Sequence, residues 1–164
     1  MMASANDILE IRSLANPSES ADCARMMANT DPWLTLGRTY DACLQIVSDQ
    51  SKEVYVARLG GAVAGFLIIN MEGPFAGYIQ TVCVHSQCRG QGIGSRLIRW
   101  AEERIFRESP NVFMCVSSFN GEAFKLYQRL GYEVVGELKD YLVRGHAEIL
   151  LRKSTGPWAE FGKG

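Results

Sequence analysis

Residues Val82 to Gly94 read Val-Cys-Val-His-Ser-Gln-Cys-Arg-Gly-Gln-Gly-Ile-Gly. An apolar strand end runs into a polar loop with glycines at alternate positions, Gly90, Gly92 and Gly94, and an amphipathic helix begins at about Ile93. Glycines at this spacing let successive backbone N–H groups turn inward and leave no side chain in the way of a large anion. The helix adds its unpaired first-turn N–H groups and the positive end of its dipole. In chemical terms this is a pyrophosphate cradle. It departs from both common nucleotide loops. A dinucleotide fold asks for Gly-x-Gly-x-x-Gly, usually on the first strand, with an acidic residue about twenty positions on. A Walker loop asks for Gly-Lys-Ser/Thr, which is absent.

One strand later the chain reads Asn120-Gly-Glu-Ala-Phe-Lys-Leu-Tyr127-Gln-Arg-Leu-Gly131-Tyr132. Together the two segments resemble the GNAT superfamily of N-acetyltransferases, and among them the branch acting on ribosomal proteins and N-terminal amino groups. The family's phosphate loop, Arg/Gln-x-x-Gly-x-Gly/Ala, is met by Arg89, Gly92 and Gly94. Its second element, Asn-x-x-Ala-x-x-Leu-Tyr-x-x-x-Gly-Phe/Tyr, is met by Asn120, Ala123, Leu126, Tyr127, Gly131 and Tyr132. The resemblance covers Lys52 to Lys153 well and the first fifty residues loosely.

The resemblance implies acetyl-coenzyme A as the acetyl donor, with no metal. Arg89, Gly90, Gln91, Gly92, Ile93, Gly94 and Ser95 would hold its pyrophosphate. Val82, Cys83 and Val84 would act through backbone, a fixed N–H stabilising the oxyanion that forms when an amine attacks the thioester. Asn120 is a helix cap in one reading and a ligand to the pantetheine amide in the other. The strand entering the glycine loop and the strand before Asn120 should be parallel neighbours that splay apart, leaving the pantetheine arm to pair with free backbone.

Tyr127 is the implied general acid. Coenzyme A leaves as a thiolate, and a thiol of pKa ~8.5 departs more easily if protonated by a phenol of pKa ~10 that still holds its proton. The base is harder to assign, because Cys115 stands where many relatives carry Glu or His. Tyr78, in Tyr78-Ile79-Gln80-Thr81-Val82, resembles a tyrosine that helps deprotonate the amine in certain N-terminal acetyltransferases, by ordering a water. An α-amine of pKa ~8 needs less help than a lysine at ~10.4, so the missing carboxylate favours an α-amine or another weakly basic amine. His85 reads as a loop residue rather than the base.

The acceptor side falls to residues about 16–50 and 138–146, with Trp33 and Tyr141 as substrate-binding candidates that could equally be core. Asp31, Glu72 and Asp140 could attract a cationic amine or simply be solvated. The function expected is direct transfer of acetyl to a primary amine, on a protein N-terminus or lysine or on a small molecule. The alternative is a catalytically weak coenzyme A-binding sensor or subunit.

At 164 residues the chain is expected to be one domain, 1–164, with cofactor motifs at about 78–132. A net charge of −1 gives no support to a nucleic-acid binder working through a broad basic face. The five cysteines show no Cys-x-x-Cys pair and only two histidines accompany them, which argues against zinc. Scattered cysteines such as Cys43, Cys83 and Cys115 read as small core residues in a reducing compartment. The N-terminal residues lack a basic start and apolar run, and no stretch reaches the ~18 apolar residues of a membrane span. A cytoplasmic protein without membrane contact is expected, and a homodimer is allowed.

Periodicity predicts β-α-α-β-β-β-α-β-α-β-β: a mixed α/β fold of about seven strands and four helices. The strands expected are 8–14, 53–59, 62–70, 78–84, 112–117, 132–138 and 146–151. The helices are one capped by Ser18 or Ser20, then 36–47, 93–107 and 120–130, with Gly131 as a left-handed cap. The tail around Trp158 should lie on the surface.

Overall fold

The computed structural model describes residues 8–164, so the N-terminal segment read as no leader lies mostly outside the described residues. The elements follow the expected order: β1 (Glu10–Ser13), α1 (Pro17–Ala28), α2 (Tyr40–Val47), β2 (Glu53–Leu59), β3 (Ala62–Asn70), β4 (Tyr78–Val84), α3 (Ile93–Ile105), β5 (Asn111–Ser117), α4 (Gly121–Arg129), β6 (Glu133–Leu138) and β7 (Glu148–Ser154). The seven strands belong to a mixed sheet. The chain divides into two compact units, residues 8–68 with 81–100, and residues 69–80 with 101–164.

In the first unit β1 runs antiparallel to β2, Glu10 opposite Arg58 and Ser13 opposite Tyr55. The β2–β3 hairpin turns on Gly60 and Gly61, whose positive φ values of 59° and 81° suit a two-residue hairpin turn. Helix α1 starts earlier than its serines suggest. Asn16 Oδ1 accepts from the Glu19 N–H at 3.0 Å, and Pro17 occupies the first turn, where its missing N–H costs nothing. Helix α2 starts later than Leu36, because Thr39 Oγ1 caps it by accepting from Ala42. The core of this unit gathers Cys23, Met27, Cys43, Val47, Val56, Phe66, Ile68 and Cys83. Beneath it Glu19 accepts from both Arg12 and Arg58 and from the Ala15 N–H. The Arg12 hydrogen bond, outweighing burial, holds the Glu19 carboxyl down at about 2.

In the second unit β4 pairs parallel with β5, Tyr78 opposite Phe113 and Ile79 opposite Met114. β5 runs antiparallel to β7 from Asn111–Ser154 to Ser117–Glu148. β6 pairs with β7 through an irregularity between Val134 and Gly136. Strand β7 begins at Glu148 rather than His146 and extends to Ser154. Helix α3 ends at Ile105, short of Arg107. On its last turns Glu102 accepts from the Tyr132 hydroxyl at 3.0 Å and from Lys153 at 3.1 Å. The tail is exposed at Trp158, as expected, with its ring edge-on to Phe161.

Candidate active site

Strand β4 alternates with a period of two. Ile79, Thr81 and Cys83 are buried, while Tyr78, Gln80, Val82 and Val84 are half-buried on the opposite face. Its last residues belong to the first unit, where the chain leaves β4 into the glycine loop. The His85 N–H donates to the Ala64 carbonyl at 2.8 Å, and its Nδ1 accepts from the Gln87 N–H at 3.1 Å, so His85 is a turn residue. A single 3-10 turn over Ser86–Cys88 follows. Then Arg89 is extended, and Gly90 and Gly92 take φ values of 75° and 77°. Arg89, Gly90, Gln91 and Gly92 are exposed, Ile93 is buried, and Gly94 and Ser95 lie half-buried on the first turn of α3.

A β carbon on Gly90 or Gly92 would meet nothing within 4 Å. Conformation, not space inside the protein, therefore demands glycine there. The loop runs into the first turn of α3, whose N–H groups have no intrahelical acceptor. Arg89 stands exposed beside this loop. Gly65 on β3 is a residue the sequence reading passed over. Its β carbon would sit 2.8 Å from the Cys83 carbonyl and 3.3 Å from Leu97, so the small residue lets β3 close on the strand that feeds the loop.

The remaining candidates split by unit. Trp33, in the first, is half-buried against the core of that unit. The Asp31 side chain is taken up locally, accepting from the Thr35 N–H and hydroxyl at 3.0 and 2.6 Å. Asn120, Tyr127, Tyr78 and Tyr141 are in the second. Asn120 caps α4, its Oδ1 accepting from Ala123 at 3.4 Å. Gly131, at φ 96°, closes the other end. Its N–H donates to Gln128 at 3.1 Å and that of Tyr132 to Tyr127 at 3.0 Å, the paired bonds of a Schellman motif. Tyr127 stands edge-on to Tyr132, ring centroids 6.4 Å apart. Burial pushes its phenol up to about 12, so it keeps its proton throughout the neutral range.

Tyr78 opens a second cluster. Its hydroxyl lies close to the Cys115 thiol, and burial, reinforced by Cys115, raises its pKa well above the ordinary phenol range. Cys115 is half-buried rather than a core residue, and burial raises its pKa too. Tyr141, 59% exposed, is close enough to Tyr78 to add to that shift. It lies on the β6–β7 connection, which Asp140 braces by accepting from the Gly145 N–H at 2.6 Å. Asp140 is the one described non-glycine residue with positive φ, 53°. Sequence reasoning missed Glu148 and Ser117, both buried on adjacent strands here. The available signal was a carboxylate opening the apolar run Ile149-Leu150-Leu151.

The sequence model of the acetyltransferase (GNAT) family matches residues 8–132. The chain belongs to this family. It is 28% identical over 137 residues to the N-alpha-acetyltransferase RimI of Mycobacterium tuberculosis, covering 81% of this chain and 82% of that protein. It is 32% identical over 81 residues to the blasticidin-S acetyltransferase of Streptomyces morookaense, covering 49% and 59%. Among solved structures, an aminoglycoside 6'-N-acetyltransferase complexed with coenzyme A matches with a TM-score of 0.72 at 17% identity, over 90% of this chain and 98% of that one. That likeness shows the fold. The protein is an acetyl-CoA-dependent acetyltransferase of the GNAT family. Among the described residues no helix is long and apolar enough to cross a membrane, and no group of three or more His, Cys, Asp or Glu is placed to hold a metal ion.

Proposed function

We propose that this GNAT acetyltransferase moves acetyl directly from acetyl-CoA to a primary amine, an α-amine at a protein N-terminus first among them, as one domain. The observation that carries the acceptor reading is the closeness of Tyr78 to Cys115, with Tyr141 near it on the braced β6–β7 connection. A protonated phenol at that place can hold a neutral amine or a water but cannot strip a strongly basic ammonium. The likeness to an N-alpha-acetyltransferase over four-fifths of the chain supports the same class.

Bound acetyl-CoA supplies the activated acetyl thioester. Gly90, Gln91, Gly92, Ile93, Gly94 and Ser95 hold its pyrophosphate through backbone N–H groups, with Arg89 as counter-charge. Val82, Cys83 and Val84 present backbone to the acyl arm, and Asn120 contributes to the pantetheine amide. Tyr127 gives its proton to the departing sulfur. Tyr78 orients the incoming amine, and Tyr141 and Trp33 contribute to the acceptor side. The test is release of free coenzyme A from acetyl-CoA against a panel of N-terminal peptides, lysine peptides and small amines. Release with α-amino peptides at neutral pH supports the reading. Saturable binding of acetyl-CoA with no release on any acceptor makes the chain a binding module instead.

A further inference from the structure

Ser117 and Glu148 are direct partners in the β5–β7 register, so their side chains leave the sheet on the same face. Two residues back on β5, Cys115 shares that face, and Phe113, opposite Tyr78 in the parallel register, shares it as well. Both Ser117 and Glu148 are deeply buried, 2% and 5% exposed. Yet Ser117 Oγ and Glu148 Oε2 have no hydrogen-bond partner. A buried carboxylate oxygen without a donor is costly, and proteins keep such groups where a ligand completes them.

We infer that Glu148 is the proton acceptor for the incoming amine, reached from β7. The inference rests on the amine-acetyltransferase reading above. An ammonium group brings three donors, which is what the unpartnered oxygen lacks. The titratable and charged groups facing Glu148 are Tyr78 from β4, Cys115 from β5 and His146 from the β6–β7 connection, with the Ser117 hydroxyl alongside. Burial raises the Glu148 pKa above the ordinary carboxylate range, while Ser117 and His146 act against that shift. Ser117 is close enough to favour the charged form without meeting hydrogen-bond geometry. A carboxylate raised above its ordinary range is matched to an α-ammonium of pKa ~8 better than an ordinary one would be.

The proton count closes. The ammonium gives one proton to Glu148, directly or across one water, and the freed lone pair forms the C–N bond. The C–S bond then breaks with its electron pair on sulfur, which takes the Tyr127 proton. The second proton shed by the nitrogen restores Tyr127, and Glu148 releases its proton to solvent. The products are one amide, one free thiol and one proton.

The test uses the full chain as wild type, Glu148→Gln and Glu148→Asp. With an acceptor found by coenzyme A release, Glu148→Gln should lower kcat/KM at pH 7 by roughly a hundredfold or more. The loss should narrow toward pH 9.5, as more amine arrives already neutral, and Glu148→Asp should recover part of it. The melting-temperature rise given by acetyl-CoA should survive in both variants. A Gln variant within about threefold of wild type at pH 7, or one whose deficit is the same at both pH values, overturns the inference. A wild type that releases no coenzyme A on any acceptor refutes the proposed function instead, and Glu148 is then judged by stability. Because its folded pKa is raised, Glu148 costs folded-state stability once pH exceeds the ordinary carboxylate range. Glu148→Gln should therefore melt at or above wild type at pH 8. A clear loss of melting temperature at pH 8 would make Glu148 a structural residue and overturn the inference.

Discussion

The backbone N–H of Tyr132 donates to the carbonyl of Tyr127 at 3.0 Å, tying the last turn of α4 to the residue just before β6. Tyr132 is 3% exposed, its hydroxyl is held by Glu102, and the Lys153 ammonium lies 5.8 Å from its ring centroid. The second sequence motif is thus largely a mounting. Gly131 makes the left-handed stop, Tyr132 anchors it, and Tyr127 is presented on the turn so fixed.

Tyr127→Phe should therefore keep the fold while removing the proton. The ring can still stand edge-on to Tyr132. Turnover should fall by roughly a hundredfold or more, with the melting-temperature rise from acetyl-CoA unchanged. Single-turnover rates equal to wild type, with chemistry limiting, would mean that the sulfur takes its proton from elsewhere.

Gly92→Val should uncouple folding from cofactor binding. An added β carbon meets no neighbour within 4 Å, but φ 77° is strained for a β-branched residue. The relief open to an exposed loop is to turn its N–H groups away from the phosphate site. The stability cost should be about 1–2 kcal/mol, and the melting-temperature shift with acetyl-CoA should disappear. A retained shift, or a larger one with NAD or ATP, would reject the pyrophosphate assignment.

Elements with a local signature were legible in the sequence. Strands β2, β3 and β4 match their expected limits, and the buried face of α3 holds Ile93, Leu97, Ile98, Ala101 and Ile105 at helical spacing. Helix starts were misread where two kinds of cap competed. Asn16 outranks Ser18 because Pro17 sits well at the first helical position, and Thr39 outranks the apolar spacing that runs back to Leu36. Glu148 was illegible for a different reason. Its meaning comes from Ser117 lying opposite and Cys115 two residues away on a strand more than thirty positions earlier. No periodicity within β7 carries that register.

Acid should weaken the first unit through Glu19. Its folded carboxyl titrates at about 2 against an ordinary value of 4.5, so its stabilising effect is complete above pH 4.5 and is lost as pH falls from there toward 2. Glu19→Gln should cost about 1.5–3 kcal/mol at pH 7 and show a flatter decline of melting temperature between pH 5 and pH 3. Parallel curves for the two proteins would show that the contacts to Arg12 and Arg58 contribute no net stability.

Tyr78 and Tyr127 should respond differently to acceptor basicity. The Tyr78 phenol stays protonated well past neutrality, so its contribution is a hydrogen bond to the amine or its water, made beside Cys115. Removing it should hurt most where deprotonation is hardest, on an ε-amine at pH 7, and least where the amine already arrives neutral. Tyr78→Phe should lose more kcat/KM with a lysine acceptor than with an α-amino one, and the deficit should shrink by pH 9.5. Tyr127→Phe should show no such rescue, because the sulfur needs a proton whichever amine attacked. The measurement is a pH–rate profile of both variants with one acceptor of each kind. Equal deficits for Tyr78→Phe at pH 7 and pH 9.5 would remove it from the deprotonation route and leave it as a packing partner of Cys115.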